Sequence, residues 1–162
     1  GRLTEAISCF DDAIARYRRL VEEGGRVELE NDLAGALMNK GVALEQLQRW
    51  KEALNCYSEG IELWERLVEG GMTHVTPNLI KSLKIRFDLL RQLGVWEVAA
   101  TDVVRALSYA ASLLEKESAS ESVMQELMGF LQRLRMLSEQ ERAQLYSALG
   151  KWGEVVRRLI ES

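Results

Sequence analysis

The sequence predicts an all-α protein: an α-α superhelix, a solenoid of antiparallel helix pairs with about seven to eight helices. Three observations predict it. Glu5-Ala6-Ile7-Ser8-Cys9-Phe10 returns as Glu52-Ala53-Leu54-Asn55-Cys56-Tyr57, and the match stays in step to Leu20-Val21-Glu22 and Leu67-Val68-Glu69, a shift of 47 residues. Repeats with periods of about 20 to 50 residues mark solenoids, whose units bury their apolar faces only against their neighbours. Apolar residues then recur at steps of three and four, the spacing of one helix face. Finally, three tight links share a pattern in which a leucine closes one helix and a tryptophan opens the next: Leu47-Gln48-Arg49-Trp50, Leu93-Gly94-Val95-Trp96 and Leu149-Gly150-Lys151-Trp152.

Taken in order, residues 1–25 form the second helix of a truncated repeat, with Ile7, Phe10, Ile14, Tyr17 and Val21 in one stripe. The chain opens at Gly1-Arg2-Leu3 without the first helix of that unit, which reads as a fragment of a longer protein. A full repeat spans 27–71. Its first helix runs from about Val27 to Gln48 with Leu33, Leu37, Leu44 and Leu47 inward, and its second carries Leu54, Tyr57, Ile61, Trp64 and Val68. Gly24-Gly25 and Gly70-Gly71 stop helices at matching places, because glycine tolerates the left-handed conformation that closes many helices. The next repeat spans 76–117. Thr76-Pro77 opens it, threonine capping free N–H groups and proline losing nothing at a first helical position. Its second helix carries Ala100, Val103, Leu107, Ala110 and Leu114.

Trp50 to Trp96 is 46 residues but Trp96 to Trp152 is 56, so about ten residues are inserted in the last interval. Ser118-Ala119-Ser120 reads as a loop and 120–137 as an inserted helix. Ser138-Glu139-Gln140-Glu141 is a capping-box pattern and starts a short helix to Leu149; one long helix through Ser138 is the alternative. Residues 139–162 read as a terminal degenerate repeat with Val155, Val156 and Leu159 apolar.

Composition narrows the function. The 162 residues are 47% hydrophobic and 28% charged, enough for a buried core. A net charge of -4 supplies no overall positive field for nucleic acid or an anionic membrane. No apolar run approaches the ~20 residues of a membrane span, and no signal peptide is evident, so a cytoplasmic protein is expected. Cys9 and Cys56 hold equivalent repeat positions, too far apart for a disulfide at usual interhelical distances, and read as buried free thiols. His74, the only histidine, stands in a loop without a companion. The sequence therefore offers no catalytic constellation, no metal site and no cofactor motif, and an enzyme is not expected.

Leu37-Met38-Asn39-Lys40-Gly41-Val42-Ala43-Leu44, followed by Trp50, Glu52-Ala53, Tyr57 and Gly60-Ile61, resembles the tetratricopeptide repeat family. Small residues fall where that family brings helices close, at Gly41, Ala53 and Gly60, and Tyr57 falls at its large position. The family period is about 34 residues, so these helices belong to an extended-period variant. Phe87 replaces the small residue matching Gly41, which predicts that it pushes that helix pair apart or redirects it. HEAT-like and other α-solenoid arrays of similar period stay open.

The resemblance implies a protein–protein interaction scaffold that binds a peptide or partner protein, without nucleic acid or membrane. In the family the first helix of each pair lines the concave face, which implies a groove of Met38, Asn39, Val42, Glu45 and Gln46, then Lys81, Lys84, Ile85, Asp88 and Arg91. Asn39 and Lys81 are similar to the amide and basic groups with which some members hold a terminal carboxylate, a charge-assisted contact; Ile85 stands where another basic residue is expected. The same residues also fit an ordinary solvated helix face. The inserted helix, apolar on more than one stripe, offers Met124, Leu127, Met128 and Leu131 as a homo-oligomer contact. An oligomerising or regulatory segment of a larger multidomain protein is the alternative function.

Overall fold

The computed structural model describes residues 1–116 and 119–161. Glu117 and Ser118, within the expected repeat end and loop, lie outside the described residues, as does Ser162. Among the described residues the secondary structure is entirely helical, in eight α-helices and three single 3-10 turns. The chain divides into two units, Gly1–Val75 and Thr76–Ser162. In each, helices joined by short links pack as pairs, as expected of an α-α repeat.

In the first unit α1 (Arg2–Glu22) packs on α2 (Glu30–Gln46), and α2 on α3 (Trp50–Glu69). The first helix of the pair is shorter than Val27 to Gln48 because Val27–Leu29 winds as a 3-10 turn. Flanked on two sides, α2 buries Leu33, Ala34, Leu37, Met38, Gly41, Ala43 and Leu44. Its open stripe, stepping by seven, three and four, is Asp32, Asn39, Val42 and Gln46. The fit between α2 and α3 is closest at Gly41, where an added Cβ would lie 2.4 Å from Tyr57 Cε1. Glycine thus lets the ring lie against the α2 backbone, and burying a ring of this size contributes about 2 to 3 kcal/mol. Tyr57 donates to Glu45 (2.7 Å) and Trp64 Nε1 donates to Asn31 Oδ1 (2.8 Å), so both buried aromatics keep a polar partner.

The link between α2 and α3 turns at Gln48, whose φ is 58°. The corresponding link residues are Gly94 and Gly150, with φ of 72° and 53°. A side chain here accepts a left-handed strain that glycine does not. The helix-stopping glycines Gly25 and Gly71 also have positive φ.

In the second unit α4 (Thr76–Gln92) pairs with α5 (Trp96–Glu115), followed by α6 (Glu121–Arg135), α7 (Glu139–Leu149) and α8 (Gly153–Glu161). Helices α6 and α7 are separate: Ser138 N–H donates to Glu141 Oε2 (2.9 Å) while Glu141 N–H donates to Ser138 Oγ (3.3 Å), the two arms of a capping box. Phe87 lies on the side of α4 that meets α6. It is fully buried and meets Phe130 of α6 edge-on at 5.4 Å, while Arg86 of α4 and Asp102 of α5 bond beside it.

Several expectations change. Cys56 is a buried free thiol, but Cys9 is exposed, because on α1 that register faces outward. The apolar excess of α6 resolves into one buried stripe of Val123, Leu127, Phe130 and Leu134, with Met124 and Leu131 half-buried and Met128 exposed. Trp50 and Trp96 are half-buried and Trp152 is exposed.

Candidate partner-binding surface

The ten residues expected to form a groove separate into distinct environments. On α2, Asn39, Val42 and Gln46 are exposed along one stripe, Val42 at 39%. Met38 is buried, one position off that stripe, and touches α3 near Gly60. Glu45 is half-buried and accepts the Tyr57 hydroxyl. That contact, after the larger effect of burial, raises the Tyr57 phenol well above its ordinary range.

On α4 the equivalent face is partly covered. Lys84 Nζ donates to Glu126 of α6 (3.0 Å), Arg133 Nε of α6 donates to Asp88 (2.7 Å), and Arg91 Nη1 donates to Glu141 of α7 (2.5 Å). Phe87 meets Phe130 in the middle of these polar contacts. Glu141 is held below the usual carboxylate range, first by the Ser138 backbone N–H and then by Arg91. Ile85 and Asp88, one 46-residue period after Asn39 and Val42, are half-buried where their counterparts are open. Lys81 is exposed. The inserted helix thus occupies the α4 surface that sequence reasoning reserved for a ligand.

The α6 residues expected at an oligomer contact also divide. Leu127 is buried within its own unit, 8% exposed, because it belongs to the stripe facing α4. Met128 and Leu131 line a shallow groove of about 670 Å³ with Lys84, Gln132 and Met136.

Sequence reasoning missed the ion pair between α4 and α5. Arg86 Nε donates to Asp102 Oδ2 (3.0 Å) and its Nη2 to Oδ1 (2.5 Å), with Asp102 fully buried. The signal was in the repeat register. Arg86 and Asp102 correspond to Lys40 and Cys56, and Lys40 instead pairs with Asp11 of α1 (2.6 Å). The thiol position of the first repeat is an acid in the second, answered by a guanidinium. This pair is a packing element within its helix pair.

His74 is exposed in the 3-10 turn Thr73–Val75. Among the described residues no group of three or more histidines, cysteines and carboxylates is placed to hold a metal ion. No helix of the described residues is long and apolar enough to cross a membrane.

These features define a helical repeat protein with open and self-covered helix faces. Residues 33–70, which are α2 from Leu33 onward and all of α3, match the family model of the tetratricopeptide repeat. This segment is where Gly41, Tyr57 and Gly60 make the close pair contact, and the match supports the resemblance drawn from those residues. Tetratricopeptide repeats are protein–protein interaction modules without characteristic chemistry of their own. No curated protein and no solved structure matches the chain.

Proposed function

We propose that this protein is an interaction scaffold that recognises a peptide or partner protein through the open face of α2, with Asn39, Val42 and Gln46 as its contacts and no chemical step. The observation that carries the reading is the contrast between equivalent helices. The repeat that matches the interaction-module family leaves this stripe uncovered, whereas on α4 Ile85 and Asp88, the counterparts of Asn39 and Val42, are half-buried and Asp88 is bonded by Arg133 of α6, with Gln92, the counterpart of Gln46, still exposed. Val42 supplies an apolar contact, and the flanking Asn39 and Gln46 amides supply paired donors and acceptors that suit a peptide backbone. A cytoplasmic setting fits this reading.

The test uses peptides selected from a displayed random library against the whole chain. Val42→Glu and the pair Asn39→Ala with Gln46→Ala each weaken the selected peptides about tenfold or more, a loss of about 1.4 kcal/mol, while circular dichroism stays unchanged. Peptides that ignore both sets of substitutions contradict the reading.

Self-association through α6 is a second reading, favoured by the exposure of Met128 at 53% in mid-helix and of Met136 at 76% at its C-terminal cap. Half-buried Met124 and Leu131 flank that patch, and Leu127 takes no part. Light scattering that finds a strict monomer at high concentration excludes it; a dimer lost on Met128→Glu with Met136→Glu supports it.

A further inference from the structure

Helices α1 and α3 both pack on α2 and leave a groove between them. Its wider hollow, of about 550 Å³, has an apolar lining of Val21, Leu33 and Leu63, one from each helix. The ionisable groups around them are six carboxylates and two guanidiniums, an excess of four negative charges that equals the net charge of the whole chain. Both guanidiniums are engaged: Arg18 Nη2 donates to Glu59 (2.5 Å) and Arg66 lies 3.6 Å from Glu30. Glu22 and Glu69 are exposed and carry no ion pair among the described residues. They stand 47 residues apart in equivalent register, as the last residues of α1 and α3. Two helix C-termini therefore add partial negative charge at this end of the groove.

Past the Arg18–Glu59 bridge the groove continues into a second hollow of about 290 Å³ beside Asp11, Lys40 and Glu52. Along α3 the lining runs from Glu52 to Glu69. That is about 25 Å of helix, room for an extended segment of about seven residues. The opening does not depend on the outer face of α1. Asp11, Arg18 and Glu22 line the groove from one side of that helix, and Ala6, Ala13 and Leu20 lie on the opposite side. A helix seated on the latter leaves the groove open.

We propose that this groove is a docking site for a basic segment of another protein, lying along α1 and α3 with lysine or arginine side chains on Glu22 and Glu69. Charge selects the occupant. The groove's own guanidiniums are paired, and the surplus carboxylates attract a cationic segment and repel an acidic one. Lysine and arginine also carry long apolar stems, which suit Val21, Leu33 and Leu63 while the charged heads reach the rim. The site is separate from the stripe proposed on α2.

The probe is a fluorescent octapeptide of alternating arginine and alanine, titrated with the whole chain at physiological ionic strength and followed by anisotropy. An octapeptide of alternating glutamate and alanine is its acidic counterpart. Saturable binding of the basic probe alone is expected. Glu22→Lys with Glu69→Lys weakens it about tenfold or more, without lowering the unfolding midpoint, because lysine suits a helix C-terminus. The same charge change at the last residues of α5 and α8, Glu115→Lys with Glu161→Lys, leaves it within about twofold, since those charges are outside the groove and screened. Arg18→Ala tightens binding by freeing Glu59, and Asn39→Ala with Gln46→Ala leaves it unchanged. Equal weakening by the two lysine pairs overturns the proposal, because the probe then reads net charge alone. Absence of saturable binding overturns it too. So do concentration-dependent dimers abolished by Glu22→Lys with Glu69→Lys, which assign the groove to a second copy.

Discussion

Arg86 holds both carboxylate oxygens of Asp102 across the α4–α5 contact, with the acid fully buried and the guanidinium nearly so. A paired charge in such a place fixes how two helices meet, and its cost appears when one partner is lost. Removing only one charge, in Asp102→Asn or Arg86→Met, is expected to destabilise by about 3 to 5 kcal/mol. The double substitution Arg86→Met with Asp102→Leu recovers much of that loss. Urea unfolding of the three variants checks it, and additive losses contradict the reading of the pair as one unit.

Gly41 faces Tyr57 with no room for a methyl group, since the ring carbons would lie 2.4 and 2.6 Å from a new Cβ. Gly41→Ala is expected to cost about 1 to 3 kcal/mol through the displaced ring. The same change in a Tyr57→Leu background costs less, because the smaller side chain can yield. Equal costs in the two backgrounds, measured by denaturant unfolding, contradict the contact.

The left-handed link residue differs among the three links. Gly94→Gln is expected to destabilise by about 1 kcal/mol, and Gln48→Gly to be neutral or mildly stabilising because relief of strain opposes the extra freedom of the unfolded chain. A thermal-melt comparison of the two single variants tests the sign of each.

Burial, followed by the bond to Glu45, raises the folded Tyr57 pKa above its unfolded value of about 10. A folded pKa raised in this way contributes stability in full below the unfolded value and loses it as pH rises toward the folded one. Unfolding midpoints are therefore expected to fall above about pH 10, and Tyr57→Phe flattens that fall. A variant whose alkaline decline matches the parent's contradicts the assignment to this tyrosine.

Helix periodicity and the repeat made the first unit legible from sequence. Gly41, Tyr57 and Gly60 signal a close helix pair by size alone, and the structure places them in contact. The capping pattern at Ser138 likewise depends on neighbours in sequence and carries its own geometry. What sequence did not reveal was long-range pairing. Lys84, Asp88 and Arg91 read as solvated groove residues because nothing local says that Glu126, Arg133 and Glu141 return to meet them. Cys9 misled for the opposite reason: its register match with Cys56 is real, but burial depends on what packs outside it.

The most direct test of partner binding on α2 is site-specific photo-crosslinking. A photoreactive phenylalanine analogue replaces Val42 in one variant of the chain and exposed Glu62 of α3 in another, and each variant is irradiated with a peptide selected against the parent protein. The account predicts an adduct from position 42, competed away by unlabelled peptide, and none from position 62. Crosslinking equal at the two positions, or confined to position 62, contradicts it.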